Sequence, residues 1–399
     1  MVPRIRQIQI QNFKSIERAV VDLEPFTALV GTNGAGKTNF VEALTFVQEC
    51  LSLSIGEAFG RLGEISVFPR WSSSLPEIKV GFRLRIDLSE ESSADYSFEI
   101  TGNWDGAYRV SREKCILRFS DREDGFEVHN GSFVREIAGI RPKMEPDRLA
   151  LFAASGTEEY RPLYDFLSAM RAYSIEHQWM RFAQTTDSGM SLDSTGRNAA
   201  SVLRALKQRQ PDAYELINGL LAHVVGEPLT VSARTLEQNV DLRFRKDTGD
   251  QSPTSFSGFD MSEGTLRILG LLLAVLQPRR PSLLVIEEPE ATVHPASAEL
   301  VVEVLLNAAR DRQVVVTTHS PDLLDAKELT EEQIRVVTME RGRTIIAPLS
   351  QASRWALRER LYTPGELLRI DELSQDVEAA KEAARHLDLF GEATILSPS

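Results

Sequence analysis

The chain has 399 residues, 42% of them hydrophobic, and carries 58 acidic against 45 basic side chains, a net charge of −13. That length can bury a large core and divides more readily into two lobes than into two independent domains. The negative balance disfavours indiscriminate attachment to nucleic acid; with no apolar run of membrane-spanning length and no apolar centre in Met1-Val2-Pro3-Arg4-Ile5-Arg6, a cytoplasmic protein with no membrane partner is expected. Cys50 and Cys115 have no CxxC spacing and no nearby histidine at ligand spacing, which predicts two reduced thiols rather than a zinc site or a disulfide framework.

Residues 4–30 alternate as strands. Ile5, Ile8 and Ile10 lead to a polar turn at 12–17 that contains Lys14; Val20-Val21-Asp22-Leu23 and the apolar run Phe26–Val30 follow. Next comes Gly31-Thr32-Asn33-Gly34-Ala35-Gly36-Lys37-Thr38, and then a helical pattern from Asn39 with Phe40, Ala43, Leu44 and Val47 on one face. Glycines at this spacing permit positive φ and close backbone approach, so successive N–H groups line a concavity at a helix N-terminus that suits a triphosphate. Lys37 would reach the β- and γ-phosphates and Thr38 would place its hydroxyl on Mg²⁺.

Residues 52–76 read as loop with a short helix. From 78 to 134, short alternating runs at 79–87, 96–100, 108–110, 116–119 and 126–129 predict an antiparallel meander, with turns at Asn103-Trp104-Asp105-Gly106 and Asp124-Gly125. Helical spacing follows at 146–154, 158–170, 198–208 and 211–225, without a heptad sustained long enough for a coiled-coil arm. Strands return at 229–233 and 240–245, with a flexible stretch at 247–258 behind them. From Met261 the pattern alternates helix and strand, the mark of parallel α/β construction.

Three further stretches carry chemistry. Leu283-Leu284-Val285-Ile286 reads as a buried parallel strand with Glu287, Glu288 and Glu290 at its exit, where α/β sheets place ligand chemistry. There Glu287 would orient Mg²⁺ and Glu288 would polarise an attacking water, or the acids simply cap a helix. His319 ends the next buried strand, Gln313–Thr318; its imidazole would sense the γ-phosphate, or serve as a polar strand cap. Ser262 and Gly264 precede an apolar helix at 268–276 and would form a second anion site, best explained by the nucleotide of another subunit.

These motifs, in this order, resemble those of the ATP-binding-cassette ATPases, and within them the RecF, SMC and OLD group of stand-alone heads. Gly31–Thr38 with Asn39 matches the Walker A motif in the form common to this group. Met261–Arg267 is similar to a shortened signature motif, 283–288 to Walker B, and His319 to the switch histidine. Pro289-Glu290 with His294-Pro295 resembles the D-loop region of the OLD-like subset. Lys14 in Asn12-Phe13-Lys14-Ser15 matches the basic residue that related heads place near the nucleotide. The metal acid is Glu287 where most of these ATPases have Asp, as in several OLD-like proteins. The Q-loop glutamine stays open among Gln48, Gln178 and Gln184, and no adenine-stacking aromatic is identified.

The resemblance implies an α/β ABC-ATPase head of the P-loop NTPase class, with an antiparallel β lobe, a parallel sheet core and an inserted helical subdomain. The expected organisation is an N-terminal ATPase lobe at 1–134, the helical subdomain at 135–228, a C-terminal ATPase lobe at 229–349 and a helical extension at 350–399. ATP and Mg²⁺ are the implied cofactors. Catalysis would fall to Lys37, Glu288 and His319; nucleotide binding to Lys14, Asn33, Gly34, Ala35, Gly36, Lys37, Thr38, Asn39, Ser262 and Gly264; metal binding to Thr38 and Glu287. The residues after His319 contain no Asp-x-Asp pair of the kind a Toprim nuclease needs. The resemblance therefore implies an ATPase that forms a homodimer or higher homo-oligomer around ATP and regulates a separate effector, a nuclease or toxin, in phage defence. DNA is a possible partner, and the alternative is a RecF-like, ATP-gated DNA clamp. For the clamp, Arg197, Arg204 and Lys207 would share one helix face as a phosphate stripe, against the plainer reading of a solvated face.

Overall fold

The computed structural model describes residues 2–63, 78–102, 107–137, 139, 141–246, 254–291, 295–326 and 328–391. They form two compact units: Met1–Met170 with Thr330–Tyr362 and Leu367–Ser399, and Arg171–Leu329 with Thr363–Glu366. The segment 135–228 contributes helices to both.

The first unit begins with β1 (Arg4–Phe13), β2 (Ile16–Asp22) and β3 (Phe26–Val30), followed by helices α1 (Lys37–Ser52) and α2 (Ile55–Arg61). Strands β4 (Ile78–Asp87), β5 (Ser92–Gly102), β6 (Tyr108–Phe119), β7 (Glu123–His129) and β8 (Ser132–Arg135) complete a seven-stranded antiparallel sheet in the order β2-β1-β4-β5-β6-β7-β8. The β1–β2 hairpin is tight, with Phe13 opposite Ile16 across Lys14-Ser15, and the turn places Asn12 and Lys14 at φ 57° and 50°. Short helices α3 (Ala150–Ala154) and α4 (Arg161–Ser168) follow. The core is aromatic: Phe46 of α1 lies 5.5 Å from Phe13, 4.8 Å from Phe59 and 5.8 Å from Phe82, centroid to centroid. Each such side chain contributes roughly 1.5–3 kcal/mol of burial.

The meander was expected in shorter pieces. Residues 108–110 and 116–119 are one continuous strand, β6; of the four polar residues between them, Glu113 faces inward and is 1% exposed. Its carboxylate accepts from the Tyr96 hydroxyl at 2.9 Å, from Leu151 N at 2.8 Å and from Ala150 N, and so caps α3, whose own N-cap residue Leu149 offers no side-chain acceptor. Burial pushes its pKa up to about 7, against the lowering by these hydrogen bonds. Asp124-Gly125 lies inside β7 rather than in a turn; a Cβ on Gly125 would fall 2.4 Å from the Cys115 carbonyl oxygen, so the glycine serves close strand approach. The helix expected within 52–76 is α2, opened by a capping box between Ser54 and Glu57, while residues 64–77 and the turn at 103–106 lie outside the described residues. Cys50 and Cys115 are buried free thiols.

In the second unit, β9 (Arg171–Tyr173), β10 (Gln184–Thr185), α5 (Ala199–Arg209), α6 (Pro211–Val225), β11 (Leu229–Leu236), β12 (Asn239–Lys246) and β13 (Thr254–Ser257) precede α7 (Glu263–Leu276), β14 (Leu283–Glu287), α8 (Pro295–Ala308), β15 (Gln313–Thr318) and α9 (Pro321–Leu324). β15, β14 and β9 run parallel in that order, and all six residues of β15 and the first four of β14 are buried, as near-continuous apolar runs require. A small antiparallel sheet carries β10, β12 and β11, with β13 on β12. Part of the stretch expected to be flexible is thus ordered: 254–257 pair with β12, and Ser257 and Asp260 form a capping box around the turn at 258–260. Residues 247–253 lie outside the described residues. The chain then returns to the first unit, where β16 (Ile334–Glu340) pairs parallel to β3 and antiparallel to β17 (Arg343–Pro348). Helices α10 (Gln351–Arg358), α11 (Pro364–Arg369) and α12 (Val377–Arg385) close the chain, and α12 packs on β17 and β2.

Candidate functional site

In the first unit β3 delivers the chain into the glycine loop, and α1 leaves it with Gly36 as N-cap. Gly34 and Gly36 take φ 79° and 103°, conformations an L side chain rarely adopts. Space excludes a side chain as well: a Cβ on Gly31 would meet the Val337 carbonyl oxygen at 2.2 Å, and one on Gly36 would meet Thr344 Oγ1 at 1.9 Å. The Lys37 ammonium, 6% exposed with its residue, donates to the carbonyls of Gly31 at 2.6 Å and Thr32 at 3.1 Å. A buried cation curled under a loop of backbone donors at a helix N-terminus fits a polyphosphate. Asn33, Gly34 and Thr38 are exposed at the mouth and Ala35 is buried beneath it.

One residue that holds this loop, Thr344, had no signal in the sequence. Thr344 of β17 donates to the Ala35 carbonyl at 3.2 Å, shares a hydrogen bond with Ser15 Oγ at 2.6 Å, and receives Asn39 indirectly, since Asn39 Nδ2 donates to the same Ser15 hydroxyl. Thr344 lies 309 residues from Ala35, so only the fold brings it there. Lys14, in the neighbouring hairpin turn, is ion-paired with Glu42 of α1.

The second unit gathers Glu288, His319 and the Glu290 side chain at the exits of β14 and β15. Glu288 takes φ 45°, a strained conformation for a non-glycine residue. Its N–H is held by the Thr317 carbonyl at 3.0 Å and Thr317 Oγ1 at 3.2 Å, while its carbonyl accepts from Arg267 Nη2 at 3.4 Å. That backbone pinning aims the side chain at His319, whose Nδ1 is 3.4 Å from Glu288 Oε1. Glu290 accepts from Thr318 Oγ1 at 2.5 Å through one oxygen; its other oxygen is buried with no hydrogen-bond partner among the described residues. Burial pulls the Arg267 pKa down, opposed by the carboxylates of Glu288 and Glu290. Glu287, half-buried, ends β14. His294 lies outside the described residues.

Ser262 is the N-cap of α7, its Oγ accepting from Thr265 N at 3.2 Å, and Gly264 sits in the first turn. Beside this segment Phe182 and Phe259 are each 61% exposed with rings 6.2 Å apart, and Glu263 pairs with His177 at 3.2 Å. Of the glutamines, Gln184 is buried and spends both ends of its amide on Trp179 O and Ala200 N; Gln178 donates to Glu176 and Gln48 to Ser52. The basic face on α5 is not as the spacing implied: Arg197 precedes the helix and stacks 4.2 Å over Trp179, Arg204 donates to the Asp187 carbonyl at 2.9 Å, and Lys207 lies 5.3 Å over the Tyr214 ring.

Residues 26–325 match the family described as "AAA domain, putative AbiEii toxin, Type IV TA system". The chain belongs to this family. The head is 22% identical to the Old nuclease of Escherichia phage P2 over 82% of its own length and 58% of the relative's, and 22% identical to the OLD nuclease of Thermus scotoductus over 95% and 70%. It thus spans little more than half of the phage relative. Its fold is that of an SMC head solved in complex with the C-winged helix domain of ScpA, with a TM-score of 0.50 at 15% identity over 89% of this chain and 99% of the other. The head is an ABC-type ATPase head of the RecF, SMC and OLD group.

Proposed function

We propose that this head binds ATP with Mg²⁺ at 31–38, hydrolyses it as a nucleotide-dependent homodimer, and through that cycle regulates a separate effector protein in phage defence. The phosphate loop carries the reading: glycines at positive φ, a buried lysine and a helix N-terminus together suit a triphosphate. Lys37 would bind phosphate charge, while Asn33, Gly34, Ala35, Gly36 and Asn39 would supply or support the loop donors. Thr38 and Glu287 would hold Mg²⁺, which when bound would supply positive charge to offset that of the phosphates.

Glu288 would orient the attacking water and take its proton, and His319, 3.4 Å from that carboxylate, would sense the γ-phosphate. Lys14 would stand near the nucleotide on release from Glu42. Ser262 and Gly264 would address the nucleotide of a facing subunit, and the exposed Phe182 and Phe259 beside them support a protein contact there. The defence role rests on the toxin–antitoxin wording of the family and on the OLD relatives. Hydrolysis of ATP by the purified chain, lost in Lys37→Ala together with binding and in Glu288→Gln without loss of binding, tests the assignment. Equal turnover in all three proteins refutes it.

A further inference from the structure

Within the first unit, β2, the β16–β17 hairpin and α12 line an open pocket of about 1070 Å³. Five cations line it: Arg18, Arg341, Arg343, Lys381 and Arg385. Two carboxylates, Glu17 and Glu340, do so as well, leaving an excess of three positive charges among the lining residues, one of them, Arg385, paired outside the set with Glu382 at 3.2 Å, in a chain whose net charge is −13. Both carboxylates are taken: Glu17 by Arg343 at 2.6 Å and Glu340 by Lys381 at 3.7 Å. The Arg18 and Arg341 side chains are exposed and make no ion pair among the described residues. Arg341 and Gly342, at φ 50° and 78°, form the tight turn between β16 and β17, and Arg341 lines the pocket. Thr344 forms part of the wall, and its hydroxyl is hydrogen-bonded to the Ala35 carbonyl of the phosphate loop.

We propose that this pocket binds a small polyphosphorylated ligand, separate from the nucleotide on the phosphate loop, and that its occupancy acts on that loop through Thr344. Guanidinium groups are the donors suited to phosphate oxygens, because they offer paired N–H groups in a planar fork and never lose their charge. A pocket of this size suits a compact anion, whereas a long nucleic acid needs an extended basic track, which the overall charge opposes. A ligand drawing on Arg343 would compete with Glu17 for it and shift the start of β17, one residue from Thr344. The coupling to turnover rests on the hydrolase reading; the binding does not.

The test uses inorganic tripolyphosphate as probe, titrated calorimetrically into the Lys37→Ala variant of this chain, whose phosphate loop is impaired. One equivalent should bind, and adding Arg18→Glu with Arg341→Glu should weaken it at least tenfold, with the melting temperature and circular dichroism unchanged. A single-stranded 20-mer oligonucleotide at equal phosphate concentration should not displace it. In the otherwise unaltered protein, tripolyphosphate should change ATP turnover, and Thr344→Val should remove that effect while keeping the binding. Unchanged affinity in the charge-reversed protein, or displacement by the oligonucleotide, overturns the assignment. Binding through Arg18 and Arg341 in a protein that hydrolyses no ATP sustains the pocket and refutes the hydrolase reading instead.

Discussion

Thr344 Oγ1 occupies the place where a side chain on Gly36 would begin, 1.9 Å from the position of its Cβ. With φ at 103°, Gly36 is therefore fixed both by conformation and by space. Gly36→Ala should abolish nucleotide binding measured by fluorescent ATP analogue titration. Thr344→Val keeps the shape but loses the bonds to Ala35 and Ser15, so affinity should fall about tenfold, the equivalent of one or two net hydrogen bonds. Wild-type affinity in Thr344→Val would show that the loop holds its form without β17.

The Glu288 and His319 pair makes two different demands on turnover. Glu288→Gln keeps the size of the side chain and removes the base, so single-turnover hydrolysis should slow by ~10²-fold or more while ATP stays bound. His319→Ala leaves the carboxylate in place and should cost less, on the order of tenfold. A larger loss in His319→Ala than in Glu288→Gln would reverse the two roles.

Composite sites in a dimer predict recovery on mixing. Lys37→Ala and Ser262→Arg proteins, each inactive, should regain partial ATPase activity when co-assembled, because one mixed interface then carries both defects and the other neither. Phe182→Ser with Phe259→Ser should weaken the ATP-dependent dimer seen by analytical ultracentrifugation. A Ser262→Arg monomer that hydrolyses ATP normally would exclude composite sites.

Glu113 sets a pH dependence of stability. Burial raises its folded pKa to about 7, above the ordinary carboxylate value that the unfolded chain keeps, so the folded state holds the proton more tightly. Its stabilising contribution is complete below about pH 4.5 and is lost as pH rises through 7, a change on the order of 3 kcal/mol. Urea midpoints of the wild type should fall across that window relative to Glu113→Gln, which cannot titrate. Parallel pH profiles for the two proteins would remove Glu113 as the source.

The buried pair of Arg83 and Asp95, with side chains 5% exposed and bonds of 2.8 and 2.6 Å, predicts an asymmetric response. Asp95→Ala leaves a buried guanidinium uncompensated and should cost ~3–5 kcal/mol in chemical denaturation. Replacing both by apolar residues of similar volume, Arg83→Met with Asp95→Leu, should recover most of that loss. A single substitution no worse than the double would mean that water reaches Arg83.

The sequence by itself determined the local elements whose residues act on their neighbours. The run Phe26–Val30 into the glycine loop and α1, the strands ending at Glu287 and Thr318, and the Ser262 cap on α7 were all legible, because apolar periodicity, glycine spacing and capping are short-range properties. The tertiary structure decided what depends on partners far along the chain. Residues 108–119 read as two strands because Glu113 interrupts their apolar alternation, and only the arrival of Tyr96 and the start of α3 makes an inward carboxylate tolerable. Arg197, Arg204 and Lys207 read in the sequence as a phosphate stripe or a solvated helix face, and only the fold brings Trp179, Asp187 and Tyr214 to meet them. Thr344 carried no signal at all, since a threonine in a strand becomes the clamp of a phosphate loop only when β17 folds back beside Ser15 and Ala35, which no local pattern can encode.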